Sequence, residues 1–282
     1  MSKHQWENML AGAGLVGICL LDVVNWILFV ICPALRRTGR IVYCIFCNGN
    51  RSSFRGVSLF LAVAFLTSCG YGRYMTRPSE DNIPPGTNQV VEVVPHPHRS
   101  GFLAVVSGWE RRPSGWHRVI GPWPAVVGRN GFAAEGEKLE GDGRTPSGLY
   151  PIGSAFGRER DLLTGLAYRQ LTSDDFWIDD ISSPRYNDWV QGVPHDAKSY
   201  EHMLRSDGFY DVGAVIRYNM DPVVPGEGSA IFFHIWRSWK KPTAGCIALD
   251  EGRLRKLMTW LDANKQPMAW LNPPIDGRRK RY

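Results

Sequence analysis

The chain has 282 residues, of which 44% are hydrophobic and 21% charged, and this composition excludes a wholly disordered protein. The length accommodates one large domain or two small ones with a substantial core. The net charge of +6 fits an anionic partner, such as nucleic acid, a membrane surface or an acidic envelope polymer, and fits a merely soluble basic protein equally well.

The first 50 residues are a hydrophobic extension that differs in chemistry from the rest of the chain. Residues 9–35 are almost wholly apolar, with Asp22 as an interruption. This run is long enough to span a bilayer, although an aspartate near the middle costs roughly 3 kcal/mol on insertion scales. We therefore weigh two interpretations of residues 1–50, a transmembrane span and a segment upstream of the true translation start, and favour the second.

Residues 51–69 have the form of a bacterial lipoprotein signal. Arg51 and Arg55 supply a positive region, 57–66 is a short hydrophobic region, and a Leu-Thr-Ser sequence directly precedes Cys69. This pattern predicts that Cys69 is lipidated, and the alternative is a short buried core segment. We expect an exported, lipid-anchored protein of the bacterial cell envelope, on the periplasmic or extracytoplasmic face of a membrane.

The remainder divides into a linker, a folded domain and a tail. Residues 70–100 are polar and contain several prolines, which predicts a linker whose His96 and His98 are exposed and hold no metal. From 101 to 275, short runs of β-branched and aromatic residues alternate with Gly, Pro, Asn and Asp. That alternation predicts a mainly β domain with a few short helices. Residues 276–282 are predicted to be a basic, solvated tail.

The clearest predicted helix begins after Asp250, a good N-cap, with Glu251 in its first turn. A second, shorter helix is predicted around 199–204. The apolar residues of the first helix recur at helical spacing up to the sequence NKQP: Leu254, Leu257, Met258 and Leu261.

The most informative segment is FFHIWRSWKKPTAGCIAL, in which a predicted strand carries His234 and a second predicted strand carries Cys246. If the two strands are neighbours, the imidazole lies near the thiol, holds it as a thiolate and shuttles its proton. Ala244 and Gly245 leave room for a substrate carbonyl, and backbone N–H groups there can stabilise an oxyanion. A buried, inert cysteine is the alternative from these residues alone.

Residues 234–246 resemble the core signature of the L,D-transpeptidase catalytic domain family, in which a histidine and a loop precede a Ser/Thr-x-Gly-Cys turn. A second motif, EKLEGDGRTPSGLYPIG at 137–153, is similar to the family's Gly-Asp-Gly-Arg-Thr-Pro-x-Gly segment. The resemblance covers about 102–271. By their residue types, the glycines of the second motif are predicted to shape a tight turn that Asp142 and Arg144 hold in place, and direct contact of the motif with substrate is the alternative.

The resemblance implies a β-sandwich or barrel in which a cysteine and its histidine line a groove. Cys246 would be the nucleophile and His234 the general base, with Gly245 in the oxyanion hole and Thr243 at the family's Ser/Thr position. The implied enzyme is a cysteine acyltransferase of peptidoglycan biosynthesis, acting in cell-wall organisation and cell shape. It forms a thioester with a tetrapeptide stem and passes the stem to an amine acceptor. Peptidoglycan stem peptides and a membrane are the expected partners; no cofactor, metal or nucleic acid is expected.

The chain departs from better-known members of the family at Ala244, where they carry histidine, and at Ala248, where they carry arginine or asparagine. Two alternatives therefore stay open: a peptidoglycan L,D-peptidase or amidase on the same scaffold, and a non-catalytic, lipid-anchored wall-binding protein.

Candidate substrate-binding residues lie in two places. Arg237, with Lys240 and Lys241 in the same loop, is a candidate to bind a substrate carboxylate, and solvated loop charges without a ligand are the alternative. Tyr218 and Asn219 belong to the segment VIRYNMDPVVPGEG, which is also similar to the family, and are further candidates.

Overall fold

A computed structural model of the protein describes residues 78–79, 81–99 and 101–273. The predicted N-terminal extension (1–50), the lipoprotein signal (51–69) with Cys69, and the basic tail (276–282) lie outside the described residues. Within the described part of the chain, no helix has the length and apolar character needed to cross a bilayer. The predicted lipid anchor and membrane partner stay predictions.

The described residues form a mainly β domain, which confirms the predicted fold class. It has one α-helix, α1 (Glu251–Trp260), and one 3-10 turn (Ala263–Lys265), fewer helical segments than predicted. The strands are β1 (Gln89–Pro95), β2 (Leu103–Arg112), β3 (Gly115–Val126), β4 (Gly148–Gly157), β5 (Tyr168–Gln170), β6 (Asp175–Ile178), β7 (Trp189–Gln191), β8 (Tyr200–His202), β9 (Val212–Ile216), β10 (Phe232–Ile235), β11 (Ile247–Leu249) and β12 (Met268–Leu271).

The large sheet closes on itself to form a barrel. Its strand order is β12-β1-β2-β3-β11-β10-β9-β4-β5, and β12 also pairs with β4. This second pairing runs from Met268 opposite Pro151 to Leu271 opposite Gly148. The strands from β12 to β4 therefore form a ring, which leaves no open edge between them, and β5 attaches to β4 outside it. The other three strands form a separate small sheet in the order β7-β6-β8.

Strand β10 separates two packed clusters because its side chains alternate between the two faces of the sheet. Phe233, on one face, belongs to the main core together with Leu254 and Leu257 of α1. Phe232, on the other face, belongs to a largely aromatic cluster that also contains Phe156, Trp177, Tyr210 and Cys246. The predicted nucleophile therefore lies on the side of the sheet away from the helix.

Helix α1 agrees with the sequence prediction. The Asp250 carboxylate accepts a hydrogen bond from the Arg253 backbone N–H at 3.0 Å, as an N-cap does. Leu254, Leu257 and Met258 are the buried residues of the helix. Because they recur at helical spacing, they anchor α1 on the sheet that carries the site.

The predicted helix at 199–204 is wrong. Residues Tyr200–His202 form β8, which pairs antiparallel with β6 so that Phe176 lies opposite His202 and Ile178 opposite Tyr200. Strand β6 offers backbone hydrogen-bonding groups and aromatic neighbours that the local sequence of 199–204 does not reveal. Tertiary pairing therefore overrides the local helical preference.

The folded domain also begins earlier than the predicted boundary at residue 101. Strand β1, inside the predicted linker, pairs in parallel with β12 and antiparallel with β2, and all of its residues except Pro95 are buried. Its QVVEVVP sequence is rich in β-branched residues, but the prolines and polar residues around it are typical of a linker. Residues 89–95 therefore belong to the folded domain, and the predicted linker is wrong over this range.

A charge placed inside β1 tests this boundary. Val91 is 0% exposed, so Val91→Asp buries a carboxylate without a partner and is expected to lower the free energy of unfolding by about 3 kcal/mol or more. Urea unfolding followed by tryptophan fluorescence measures the change. Pro95→Asp, which adds the same carboxylate at the exposed end of the strand, is the control. If residues 89–95 were a linker, both variants would match the parent.

Candidate active site

The site is built on the parallel pairing of β10 with β11, which places His234 opposite Ala248 and Phe233 opposite Ile247. Residues 236–246 connect the two strands. Cys246 directly precedes β11, two residues before Ala248, so it lies on the same sheet face as His234. Both residues line one cavity of about 420 Å³. The structure thus brings together the two side chains for which the sequence predicted a common site.

His234 is 7% exposed, and a backbone carbonyl orients its ring. Its Nδ1 lies 2.8 Å from the Ile235 carbonyl oxygen, and because a carbonyl can only accept, Nδ1 carries the proton. This tautomer leaves Nε2 able to accept a proton. The ring also stacks near Phe209, at 6.3 Å between centroids, and contacts Tyr210 edge-on at 5.4 Å. Burial lowers the pKa of His234 to about 4, so the imidazole is a neutral base at pH 7.

Cys246 is 8% exposed and is held as a thiol. Its S–H donates to the Ala230 carbonyl oxygen at 3.1 Å, and its Sγ accepts from the Phe232 N–H at 3.4 Å. Burial, and then the negative charge of Glu201, raise the pKa of the thiol to about 12. The resting cavity therefore contains a neutral thiol and a neutral imidazole, in place of the thiolate expected from the sequence.

The turn before Cys246 is fixed by hydroxyl groups. The Thr243 hydroxyl donates to the Cys246 carbonyl oxygen at 2.7 Å and accepts from the Gly245 N–H at 3.2 Å. The Thr145 hydroxyl donates to the Gly245 carbonyl oxygen at 2.6 Å and accepts from the Gly128 N–H at 2.9 Å. Thr145 belongs to the Gly-Asp-Gly-Arg-Thr-Pro motif, so this motif supports the turn that carries the thiol.

The motif itself forms the tight turn predicted from its residues. The Asp142 carboxylate accepts hydrogen bonds from the backbone N–H groups of Leu139 and Arg144, at 3.0 and 2.8 Å, and from Lys138 Nζ at 2.8 Å. Gly141 and Gly143 have φ values of 71° and 68°, a region that favours glycine. Arg144 takes part through its backbone.

The family model of the L,D-transpeptidase catalytic domain (YkuD) matches residues 103–269, more than half of the chain. The chain belongs to the L,D-transpeptidase catalytic domain family. This confirms the family that the two motifs indicated.

Two other comparisons add little. No curated protein matches the chain. Among solved structures, the chain is similar to the helical cell shape determining protein Pgp2 from Campylobacter jejuni, with a TM-score of 0.36 and 14% identity. The match covers 75% of this chain and 56% of that one, so the chain spans a little over half the length of Pgp2. A likeness this weak carries no inference about function.

In this L,D-transpeptidase family domain, the predicted carboxylate-binding loop contributes two of its three basic residues to the cavity that His234 and Cys246 line. Arg237 and Lys241 line the cavity, and the Arg237 guanidinium lies 5.1 Å from the centre of the Phe209 ring. Lys240 lies over the Trp239 ring at 5.2 Å instead. Arg237 is therefore placed to meet a ligand near His234, and its role in substrate binding stays a prediction.

Tyr218 and Asn219 lie apart from the catalytic pair. They line a second cavity of about 310 Å³, which shares only Lys138 with the first among the lining residues. The Tyr218 hydroxyl donates to the Glu227 carbonyl oxygen at 2.5 Å, and the Asn219 amide donates to the Gly228 carbonyl oxygen at 2.9 Å. Their polar atoms shape the loop in which they lie, and their role in substrate binding stays a prediction.

Sequence reasoning missed the part of the cavity formed by Glu201, Arg205 and Tyr210. Glu201 lies on β8, and the other two lie between β8 and β9, before the catalytic strands in the chain. No local pattern marked them, because only the folded chain places this segment beside β10. Among the described residues, no group of three or more His, Cys, Asp or Glu side chains is arranged to hold a metal ion.

The buried histidine predicts a dependence of stability on pH. Because the pKa of His234 is about 4 in the folded state and ordinarily about 6.5, the unfolded state binds more protons between these values. Stability is therefore expected to fall as the pH drops from 6.5 to 4, by up to about 3 kcal/mol from this residue.

Urea unfolding at pH 7 and pH 4.5 measures the change for the parent and for His234→Gln. Carboxylates titrate in both proteins, so the difference between them isolates the histidine. Equal losses of stability in the two proteins would contradict the prediction.

The hydrogen bonds between Thr145 and the turn before Cys246 predict that removal of the Thr145 hydroxyl destabilises the domain. Thr145→Val leaves the Gly128 N–H and the Gly245 carbonyl without their partner, and is expected to cost about 1–3 kcal/mol of stability. Thr145→Ser keeps the hydroxyl and is expected to retain most of it. Thermal unfolding of the three proteins provides the comparison, and destabilisation by Thr145→Ser but not by Thr145→Val would contradict the prediction, because it would show that the methyl group matters instead of the hydroxyl.

Proposed function

We propose that the protein is a cell-envelope L,D-transpeptidase that forms a Cys246 thioester with a peptidoglycan tetrapeptide stem. The observation that carries the proposal is the shared cavity of Cys246 and His234, with His234 Nε2 free to accept a proton. Membership of the L,D-transpeptidase catalytic domain family supports the reaction class. The site contains both groups that nucleophilic acyl transfer requires, a nucleophile and a base.

In the first step, Cys246 Sγ attacks the carbonyl carbon of the third stem residue while His234 Nε2 takes the thiol proton. Because the buried thiol and imidazole are both neutral at rest, the proton moves during the attack, when negative charge passes from sulfur to the carbonyl oxygen. The carbonyl of Ile235 stabilises the resulting imidazolium through Nδ1. The imidazolium then gives its proton to the departing amine, the bond to the terminal D-alanine breaks, and a thioester remains.

In the second step, an amine attacks the thioester and restores the thiol. The acceptor belongs to another stem or to an envelope protein, and the product is a cross-link or an attached protein. The thioester keeps the free energy of the cleaved peptide bond, so the reaction needs no ATP. This suits the extracytoplasmic location that the predicted lipoprotein signal indicates, and we propose that location and the lipidation of Cys69 with it.

Intact-mass spectrometry of the full chain with a tetrapeptide stem tests the proposal. The expected adduct has the mass of the stem minus D-alanine, appears in the parent, and is absent in Cys246→Ala. His234→Gln is expected to form the adduct at least about 100-fold more slowly, because the attacking thiol then lacks its base. Addition of an amine is expected to discharge the adduct into an amide.

The same experiment separates the alternatives. Release of free tripeptide at the same rate with and without amine would favour a hydrolase on this scaffold. A stem that binds equally well to the parent and to Cys246→Ala, with no adduct and no turnover, would favour a wall-binding protein and would overturn the proposal.

A further inference from the structure

Glu201 presents a carboxylate to the catalytic cavity and has no cationic partner there. It lies on β8 and is half-buried. Its Oε2 accepts a hydrogen bond from the Tyr210 hydroxyl at 2.6 Å, and in the described part of the chain this is the one hydrogen bond of the carboxylate. No ion pair with a described residue neutralises it.

Two basic residues that line the same cavity are already paired with other acids. Arg205 binds Asp207 through two hydrogen bonds, at 2.9 and 2.6 Å. Lys138, which is 5% exposed, binds Asp142 at 2.8 Å. The negative charge of Glu201 therefore remains uncompensated by a direct contact, in a place where water only partly screens it.

Glu201 is also close to the reacting groups. Tyr210, which holds its carboxylate, contacts the His234 ring at 5.4 Å. After burial, the charge of Glu201 is the largest cause that raises the pKa of the Cys246 thiol. Burial raises the pKa of Glu201 itself, which makes the carboxylate a stronger base than an exposed glutamate.

A half-buried carboxylate without a counter-ion is stabilised when a ligand brings a positive charge. The proposed reaction brings one, because the acceptor amine is an ammonium ion at neutral pH and cannot attack until it loses a proton. We propose that Glu201 binds the ammonium group of the acceptor in the catalytic cavity and takes a proton from it. This inference rests on the proposed transpeptidase function and assigns a residue to its second step.

The ammonium gives one proton to the Glu201 carboxylate, and the nitrogen lone pair attacks the thioester carbon. The C–N bond forms, the C–S bond breaks, and the sulfur keeps the electron pair. The second nitrogen proton passes to His234 Nε2 and from there to Cys246 Sγ. Glu201 then releases its proton to water, and an amide and the resting thiol remain.

The proposed role of Glu201 is tested by comparing the rates at which the acyl-enzyme transfers its acyl group to two different nucleophiles. The full chain is acylated by a tetrapeptide stem whose N-terminal amine and third-residue side-chain amine are both acetylated, so that only the acceptor carries an ammonium. Methylamine, an ammonium ion at pH 7.5, is compared with hydroxylamine, which is neutral there. In Glu201→Gln, transfer to methylamine is expected to fall about 100-fold, whereas transfer to hydroxylamine changes little.

The rate of acylation distinguishes the proposed role of Glu201 in proton transfer from a merely structural role. Glu201→Gln removes the charge that raises the pKa of the thiol, so adduct formation is expected to keep its rate or become faster. A disrupted site would slow acylation and both transfers together. Glu135→Gln, which removes an exposed carboxylate outside both cavities, is the matched control and is expected to behave as the parent.

Three results would overturn the inference while leaving the proposed function in place. They are an unchanged transfer to methylamine in Glu201→Gln, an equal loss of transfer to both nucleophiles, and a slowed acylation. A parent protein that forms no acyl-enzyme would overturn the proposed function, and the role of Glu201 with it.

Discussion

The parallel pairing of β10 with β11 is the constraint on which the site depends. Its register sets His234 opposite Ala248, and this fixes Cys246 on the same face two residues earlier. A shift of one residue would turn the thiol to the opposite face, toward the main core. The register is held from both sides of the sheet: Phe233 packs in the main core, and Phe232 packs in the aromatic cluster that contains Cys246.

The burial of His234 and Cys246 also sets their electrostatics. Removing His234 and Cys246 from water favours their neutral forms, and the negative charge of Glu201 acts against a thiolate as well. The resting thiol therefore reacts slowly with electrophiles, because a neutral thiol is a poor nucleophile. In the proposed reaction, this balance changes when the carbonyl oxygen of the substrate takes up the negative charge and His234 takes the proton.

The two motifs of the sequence act as one structural unit. The Thr145 hydroxyl bridges the Gly128 N–H and the Gly245 carbonyl, and so joins the Gly-Asp-Gly-Arg-Thr-Pro turn to the turn before Cys246. A Cβ atom at Gly245 would lie 3.0 Å from the Arg144 carbonyl oxygen, so glycine permits this close approach. Two segments that lie a hundred residues apart in the chain therefore specify one catalytic turn.

The sequence by itself determined what local patterns and ordered motifs encode. The N-cap at Asp250 and the spacing of the apolar residues defined α1, the runs of β-branched and aromatic residues defined the β class, and the two motifs indicated His234 and Cys246. Tertiary structure decided the rest, because it depends on contacts between distant segments. Strand β1 became part of the barrel through β12, β8 formed against β6 where a helix was expected, and Glu201 reached the cavity from that strand. A strand completes its backbone hydrogen bonds only with a partner elsewhere in the chain, so neither its existence nor the direction of its side chains follows from its own residues.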